Sequence, residues 1–327
     1  MLGPEVLRYD LRFMEEATFF ALRGRSDRRA FEKERDRLYE IPDTEERNRA
    51  FQELNLVWFG RLGLALPIEK AIYEQPLVAA GVKTCVVARA PGKKEEGAEL
   101  FVSPETSLNE RERRTVRLLL RSESLLEPEP LLALLRHEFF HIADMLDSSF
   151  GYEPTLPDAA GGPAHVSLLG DRYRVLWDAT INGRMVRRGW LSSPGRADDL
   201  QSFTRAFPIF GAEAEEIFSN FFDREPHTHA ELVAFACAPR SAVGQTGRST
   251  TPETCCPLCR FPTHAFEPEP CDLPGQVVAE IALDFPTWLP SQGICIQCAD
   301  LYRACQLSAA AAMLLPGSRC NSAASRE

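Results

Sequence analysis

Leu131-Leu132-Ala133-Leu134-Leu135-Arg136-His137-Glu138-Phe139-Phe140-His141-Ile142-Ala143-Asp144-Met145-Leu146 carries an H-E-x-x-H pattern inside an apolar run of helical spacing that no proline interrupts. Pro128 and Pro130, just upstream, mark the start of that helix. At about 3.6 residues per turn, positions i and i+4 project from one face, so the imidazoles of His137 and His141 can share one zinc ion at about 2.0 to 2.1 Å. A catalytic zinc keeps three protein ligands and an open position for water, whose pKa falls to about 7, and a neighbouring carboxylate takes its proton. Glu138 is the candidate for that general base. Two of only six histidines fall at this spacing, and Leu134, Leu135, Phe139, Phe140 and Ile142 would bury the helix and dry the site. The competing interpretation is a helix with two surface histidines and an ordinary glutamate.

On this motif and its setting, residues 80–190 resemble the zincin superfamily of zinc metallopeptidases. The resemblance implies a small mixed sheet above an active-site helix, then a second helical part, and it implies metal-assisted hydrolysis of peptide bonds. It also implies a third ligand beyond the motif. One zincin branch continues as H-E-x-x-H-x-x-G-x-x-H, or with Asp last. Asp147 takes that last position, but Asp144 replaces the glycine, so the helix is expected to continue and to turn Asp147 off the metal face.

The gluzincin branch draws its ligand from a later helix in a Glu-x-x-x-Asp pattern. Leu176-Trp177-Asp178-Ala179-Thr180-Ile181-Asn182 places an acid and an amide at that spacing, with Asp for Glu and Asn for Asp. Asp178 is therefore the preferred third ligand, and Asn182 a partner that orients a histidine. His165 and Glu153 remain alternatives, and the plain alternative for Asp178 is a surface acid near Arg174. An oxyanion donor is expected among Tyr173, Arg184, His227 and His229, none of which stands out. If residues 100–103 form an edge strand above the helix, as the resemblance implies, their unpaired backbone groups would receive an extended peptide. The substrate is then a peptide or an unfolded protein segment.

Cys256-Pro257-Leu258-Cys259 and Cys295-Ile296-Gln297-Cys298 are two C-x-x-C knuckles. Four thiolates at about 2.3 Å make a closed tetrahedral zinc site, and the pair of knuckles resembles a zinc ribbon. The gap between them exceeds the usual spacing of about 15 to 20 residues. Cys271 and His264 lie within it as alternative ligands, and Cys255 competes with Cys256. So small a segment buries little apolar area, and zinc should supply much of its folding free energy. Ribbons contact proteins, nucleic acids or a neighbouring domain. Cys85, Cys237, Cys305 and Cys320 are expected to be buried or incidental thiols.

The 327 residues carry 37 basic and 47 acidic side chains, a formal charge of −10, which argues against a surface built mainly for nucleic acid or anionic lipid. Neither a signal peptide nor an apolar run of spanning length is present, and six clustered cysteines point to metal in a reducing compartment, so a cytoplasmic protein without membrane contact is expected.

Residues 1–80 read as a helical region, with Asp43-Thr44-Glu45-Glu46 as a helix start. Residues 84–88 and 98–102 look like a hairpin. Ser107-Leu108-Asn109-Glu110 looks like a capping box opening a helix through Val116, Leu119 and Leu120. Further helices are expected at 171–188, 197–206, 212–223 and 229–237. The resulting expectation is an α+β chain: a helical region at 1–80, a mostly helical zincin-like catalytic domain with a small β-sheet at 81–238, a linker at 239–254, a zinc-ribbon-like module at 255–306 and a tail at 307–327. It would carry one catalytic and one structural zinc. The alternative function is a non-catalytic interaction protein stabilised by both zincs, against which Glu138 speaks, because a purely structural site has no use for a base.

Overall fold

The computed structural model describes residues 6–157, 163–191, 195–224, 227–239, 254–259, 262–263, 266–267 and 269–304. Most of the expected linker, the tail and the side chains of His165, Cys255 and His264 lie outside the described residues. The fold is mostly helical with a small mixed sheet, an α+β arrangement. Its residues divide into two compact units, 1–153 with 181–193, and 154–180 with 194–327.

In the first unit, β1 (Leu7–Tyr9) leads through α1 (Leu11–Ala21), α2 (Arg28–Leu38), α3 (Thr44–Arg61), α4 (Leu66–Tyr73) and α5 (Pro76–Gly81) to β2 (Thr84–Arg89). Carboxylates start two of these helices. Asp10 accepts from the Phe13 N–H at 2.9 Å, and Asp43 from the Glu46 N–H at 2.7 Å, each satisfying an otherwise orphaned donor. Next come β3 (Gly97–Val102), the single turn α6 (Glu110–Arg113), β4 (Arg114–Leu120) and the motif helix α7 (Pro128–Leu146).

The strand order is β1-β2-β4-β3, with β1, β2 and β4 parallel and β3 antiparallel at the edge. This corrects two expectations. β2 and β3 are not a hairpin, because β4 lies between them, pairing Thr115 with Thr84 and Val116 with Leu100. The helix expected through Val116 is instead this strand. The capping box is real but belongs to Asn109 and Glu112, and it caps only four residues before β4 begins. Val116, Leu118 and Leu120 are all fully buried, a period of two that buries one sheet face and that a helix would scatter around its axis.

Against that sheet α7 lays Leu131, Leu135, Phe139 and Ile142, an i, i+4, i+8, i+11 stripe buried in the same core as Phe13, Phe59, Ile68, Ile72 and Val87. Burying each such side chain stabilises by about 1.5 to 3 kcal/mol. The histidines of α7 lie off this stripe and stay half-buried. Asp147 stops the helix, its Oδ1 accepting from both the N–H and the hydroxyl of Ser149 at 2.8 and 2.7 Å. At Gly151 the φ of 68° takes the chain through the left-handed region that favours glycine.

The unbroken helix α8 (Pro163–Arg187) contributes residues to both units. In the second, α9 (Gly195–Ala206), α10 (Ala214–Phe222) and α11 (His229–Cys237) gather a phenylalanine cluster in which Phe203, Phe207, Phe210, Phe218, Phe221 and Phe235 make ring contacts. Beyond the linker, β5 (Thr254–Cys255) and β6 (Pro262–Thr263) pair antiparallel ahead of α12 (Gly275–Asp284) and a helix at 296–304, here α13. The core of this part holds Cys256, Cys259, Cys295 and Cys298 with Leu258, Ile281, Trp288, Ile294 and Tyr302, and Leu168 of α8 packs against it. Among the described residues, no helix is long and apolar enough to cross a membrane.

Candidate metal centres

The helical spacing of His137 and His141 brings their rings to 4.9 Å between centroids, inclined at 73°. One ring nitrogen of each, together with a carboxylate oxygen of Asp178, falls within 4.8 Å of the others. Bonds of about 2.0 to 2.2 Å to a tetrahedral ion imply donor separations of about 3.3 to 3.6 Å, so small side-chain adjustments close this group around one divalent cation. Two imidazoles and one carboxylate form a donor set that leaves a fourth position open.

Glu138 is held from the sheet. Its Oε2 accepts from the Ala98 N–H of β3 at 2.9 Å, and its Oε1 lies 3.4 Å from His137 Nδ1. A Cβ at position 97 would come within 3.2 Å of that Oε2, so glycine there allows strand and carboxylate to approach. Burial pushes the Glu138 pKa up. The hydrogen bonds from His137 and Ala98 and the charges of the two imidazoles outweigh it, leaving the carboxyl below the usual glutamate value.

A feature that sequence reasoning missed fixes the later turns of α8. Arg184 grips the buried Asp144 with its two terminal guanidinium nitrogens, at 2.8 Å through Nη1, and lies over the Phe140 ring at 4.6 Å. Asp144 stands one turn beyond His141. Asp178 lies six residues before Arg184 on the same helix.

The other candidates go elsewhere. Asp147 is engaged with Ser149, and Glu153 is exposed. Arg174 pairs with Asp171 at 3.4 Å. Arg184 is committed to Asp144, and His227 Nε2 lies 3.0 Å from the Asn220 carbonyl. Tyr173 and His229 are both buried and share a hydrogen bond, hydroxyl to Nδ1, of 2.7 Å.

The four knuckle cysteines converge in a second, fully buried group. The Cys259 and Cys295 sulfurs are 3.8 Å apart, the edge of a tetrahedron with bonds of about 2.3 Å, whereas a disulfide would bring them to about 2.05 Å. Backbone N–H groups already point at sulfur: Cys295 donates to Cys256 Sγ and Cys298 to Cys295 Sγ, each at 3.4 Å. Hydrogen bonding among the sulfurs draws the Cys256 thiol down and pushes Cys298 up. Cys271 is exposed and takes no part in the group. Cys85 is buried in the sheet core, and burial pushes its thiol up to about 12, a poor nucleophile. No family model matches this chain, and neither a curated protein nor a solved structure matches it.

Proposed function

We propose that this chain is a zinc-dependent peptidase of the zincin type, gluzincin-like in its third ligand, with a separate structural zinc in a ribbon-like cysteine module. One observation carries the hydrolytic part: two imidazoles and the Asp178 carboxylate converge within 4.8 Å, with Glu138 beside them. His137, His141 and Asp178 would hold the catalytic ion. Such an ion supplies Lewis acidity toward a water and a substrate carbonyl.

Glu138 accepts a proton. Its Oε2 is anchored by the Ala98 N–H, which leaves Oε1 on the histidine side as the basic atom. A carboxyl held below the usual value is ionised at neutral pH and ready to act as base.

Strand β3 supplies the substrate surface. Ser103 donates to the Arg113 carbonyl at 2.8 Å, and Ala98 donates outward to Glu138. By the antiparallel alternation, Leu100 and Val102 therefore turn their N–H and C=O groups to the open edge. An extended peptide can pair there and lie beside Glu138. Four thiolates in one buried site favour a reducing compartment such as the cytoplasm.

The alternative, a non-catalytic scaffold contacting protein or nucleic acid, draws support from one fact: Glu138 already has a structural partner in Ala98. Metal analysis and cleavage together decide between the two. The purified protein should hold two zinc ions, falling to one in His137→Ala and to one in Cys256→Ser. Incubated with a mixture of denatured proteins, the wild type should create new amino termini detectable by mass spectrometry. Glu138→Gln should keep both ions and lose at least about 10²-fold in rate. Equal cleavage by Glu138→Gln, or an unchanged metal count in His137→Ala, overturns the peptidase.

A further inference from the structure

Arg172 is the largest fully buried side chain of the described residues, 2% exposed. It projects from α8, and two of its hydrogen bonds run to neutral oxygens: Nε–H to the Ala206 carbonyl at the end of α9, and Nη2 to Gln297 Oε1, both at 3.1 Å. Gln297 sits inside the second knuckle, between Cys295 and Cys298. Its Nε2 in turn donates to the Arg205 and Ala206 carbonyls at 3.0 Å. One amide thus ties the metal-binding turn to α8 and α9 together, within a single compact unit.

The charges match. Four thiolates and one divalent cation leave a net charge of about −2 in a buried site, which is costly without a counter-charge. Two N–H···S bonds offset part of it. Burial pulls the Arg172 pKa down to about 10, while the Cys259, Cys295 and Cys298 sulfurs favour its charged form. It is therefore a cation at neutral pH, joined through Gln297 to the knuckle that holds Cys295 and Cys298.

We propose that Arg172 is the counter-cation of the four-cysteine metal centre and that, through Gln297, it latches metal occupancy to the order of helix α8. This rests on the metal assignment of the four cysteines and not on hydrolysis. When the ion is lost, the knuckle is free to reorganise, Gln297 no longer holds the guanidinium, and the 166–180 part of α8 loosens. The module is then a metal-operated brace of the helical unit.

The test uses the full-length zinc-loaded protein and a chelator that reports released zinc by colour. Arg172→Met should release the cysteine-bound ion at least tenfold faster than wild type, and Arg172→Lys, which keeps the charge but not the fork, should fall between them. Release within twofold of wild type in Arg172→Met overturns the counter-cation. Should that variant not fold, Arg172→Lys and the wild type decide. In the wild type, stripping this ion should raise amide hydrogen exchange across residues 166–180 at least fivefold. Unchanged exchange there overturns the latch. Cys256→Ser separates this from the metal assignment: if that variant keeps the full zinc count, the four-cysteine site is itself wrong, whereas a normal one-ion loss with unaltered release in Arg172→Met condemns Arg172 alone.

Discussion

Asp144 and Arg184 join two helices through a pair of parallel hydrogen bonds in a buried setting, with side chains 8% and 15% exposed. Breaking such a pair by removing one partner leaves a buried charge uncompensated and costs about 3 to 5 kcal/mol. Asp144→Asn should therefore lower stability by an amount of that order in urea titration. It should also weaken metal binding at the histidines, because α8 carries Asp178, while zinc at the cysteines stays. Loss of stability with no change in metal affinity at the histidines would separate the clamp from the site.

Glu96 offers a second test at single-residue scale. Its side chain, 6% exposed, accepts from the Ser124 hydroxyl at 2.6 Å and from the Arg121 N–H at 2.9 Å, and it pairs with the Arg121 guanidinium. Burial raises its pKa, but these bonds outweigh that and hold it below the usual value. A carboxyl depressed on folding contributes stability above its unfolded pKa, about 4.3, and loses it as pH falls through the folded value. Glu96→Gln should cost about 1 to 3 kcal/mol at pH 7, and the difference from wild type should shrink below about pH 4. A gap that stays constant down to pH 3 would mean that charge plays no part.

Among the elements, α7 was legible because its periodicity, its proline start and its two histidines all speak through local spacing. The helices expected at 197–206 and 229–237 correspond to α9 and α11, and Asp178 was singled out through its i, i+4 partner Asn182. β4 was not. The box at Asn109 announces a helix, and nothing local says that it lasts one turn; the pairing of Val116 with both Cys85 and Leu100 is made by residues distant in the chain. β1 is three residues long, too short for any period to register. The Asp144–Arg184 clamp spans 40 positions and leaves no local pattern either. Edge strand β3 carries a prediction of its own. Val102 is 51% exposed and its N–H faces the open edge, so proline there removes no ladder bond. Val102→Pro should fold and keep both ions yet lower kcat/KM on peptides by about tenfold, mainly through KM, as expected for one or two backbone hydrogen bonds to substrate. An unchanged KM would detach the edge from substrate binding.

At the scale of the whole molecule, the two units differ in what holds them together. The core of the first is a continuous apolar cluster from Phe13 to Ala143 that includes neither His137 nor His141. The cysteine part of the second has the four sulfurs inside its core, so its packing and its candidate metal site are one object. Structural zinc in small modules contributes about 10 to 16 kcal/mol of binding free energy that is also folding free energy, whereas a catalytic ion sits on a surface that is already folded. Chelation should therefore act unevenly. In protein stripped of both ions, limited proteolysis should cut first within residues 254–304, while fragments spanning residues 6–153 survive and keep a cooperative thermal transition. Returning one equivalent of zinc should protect 254–304 before cleavage activity reappears, because four buried thiolates bind more tightly than two half-buried imidazoles and a carboxylate. Simultaneous loss of both regions on chelation would show that the first unit's apolar core does not stand without metal.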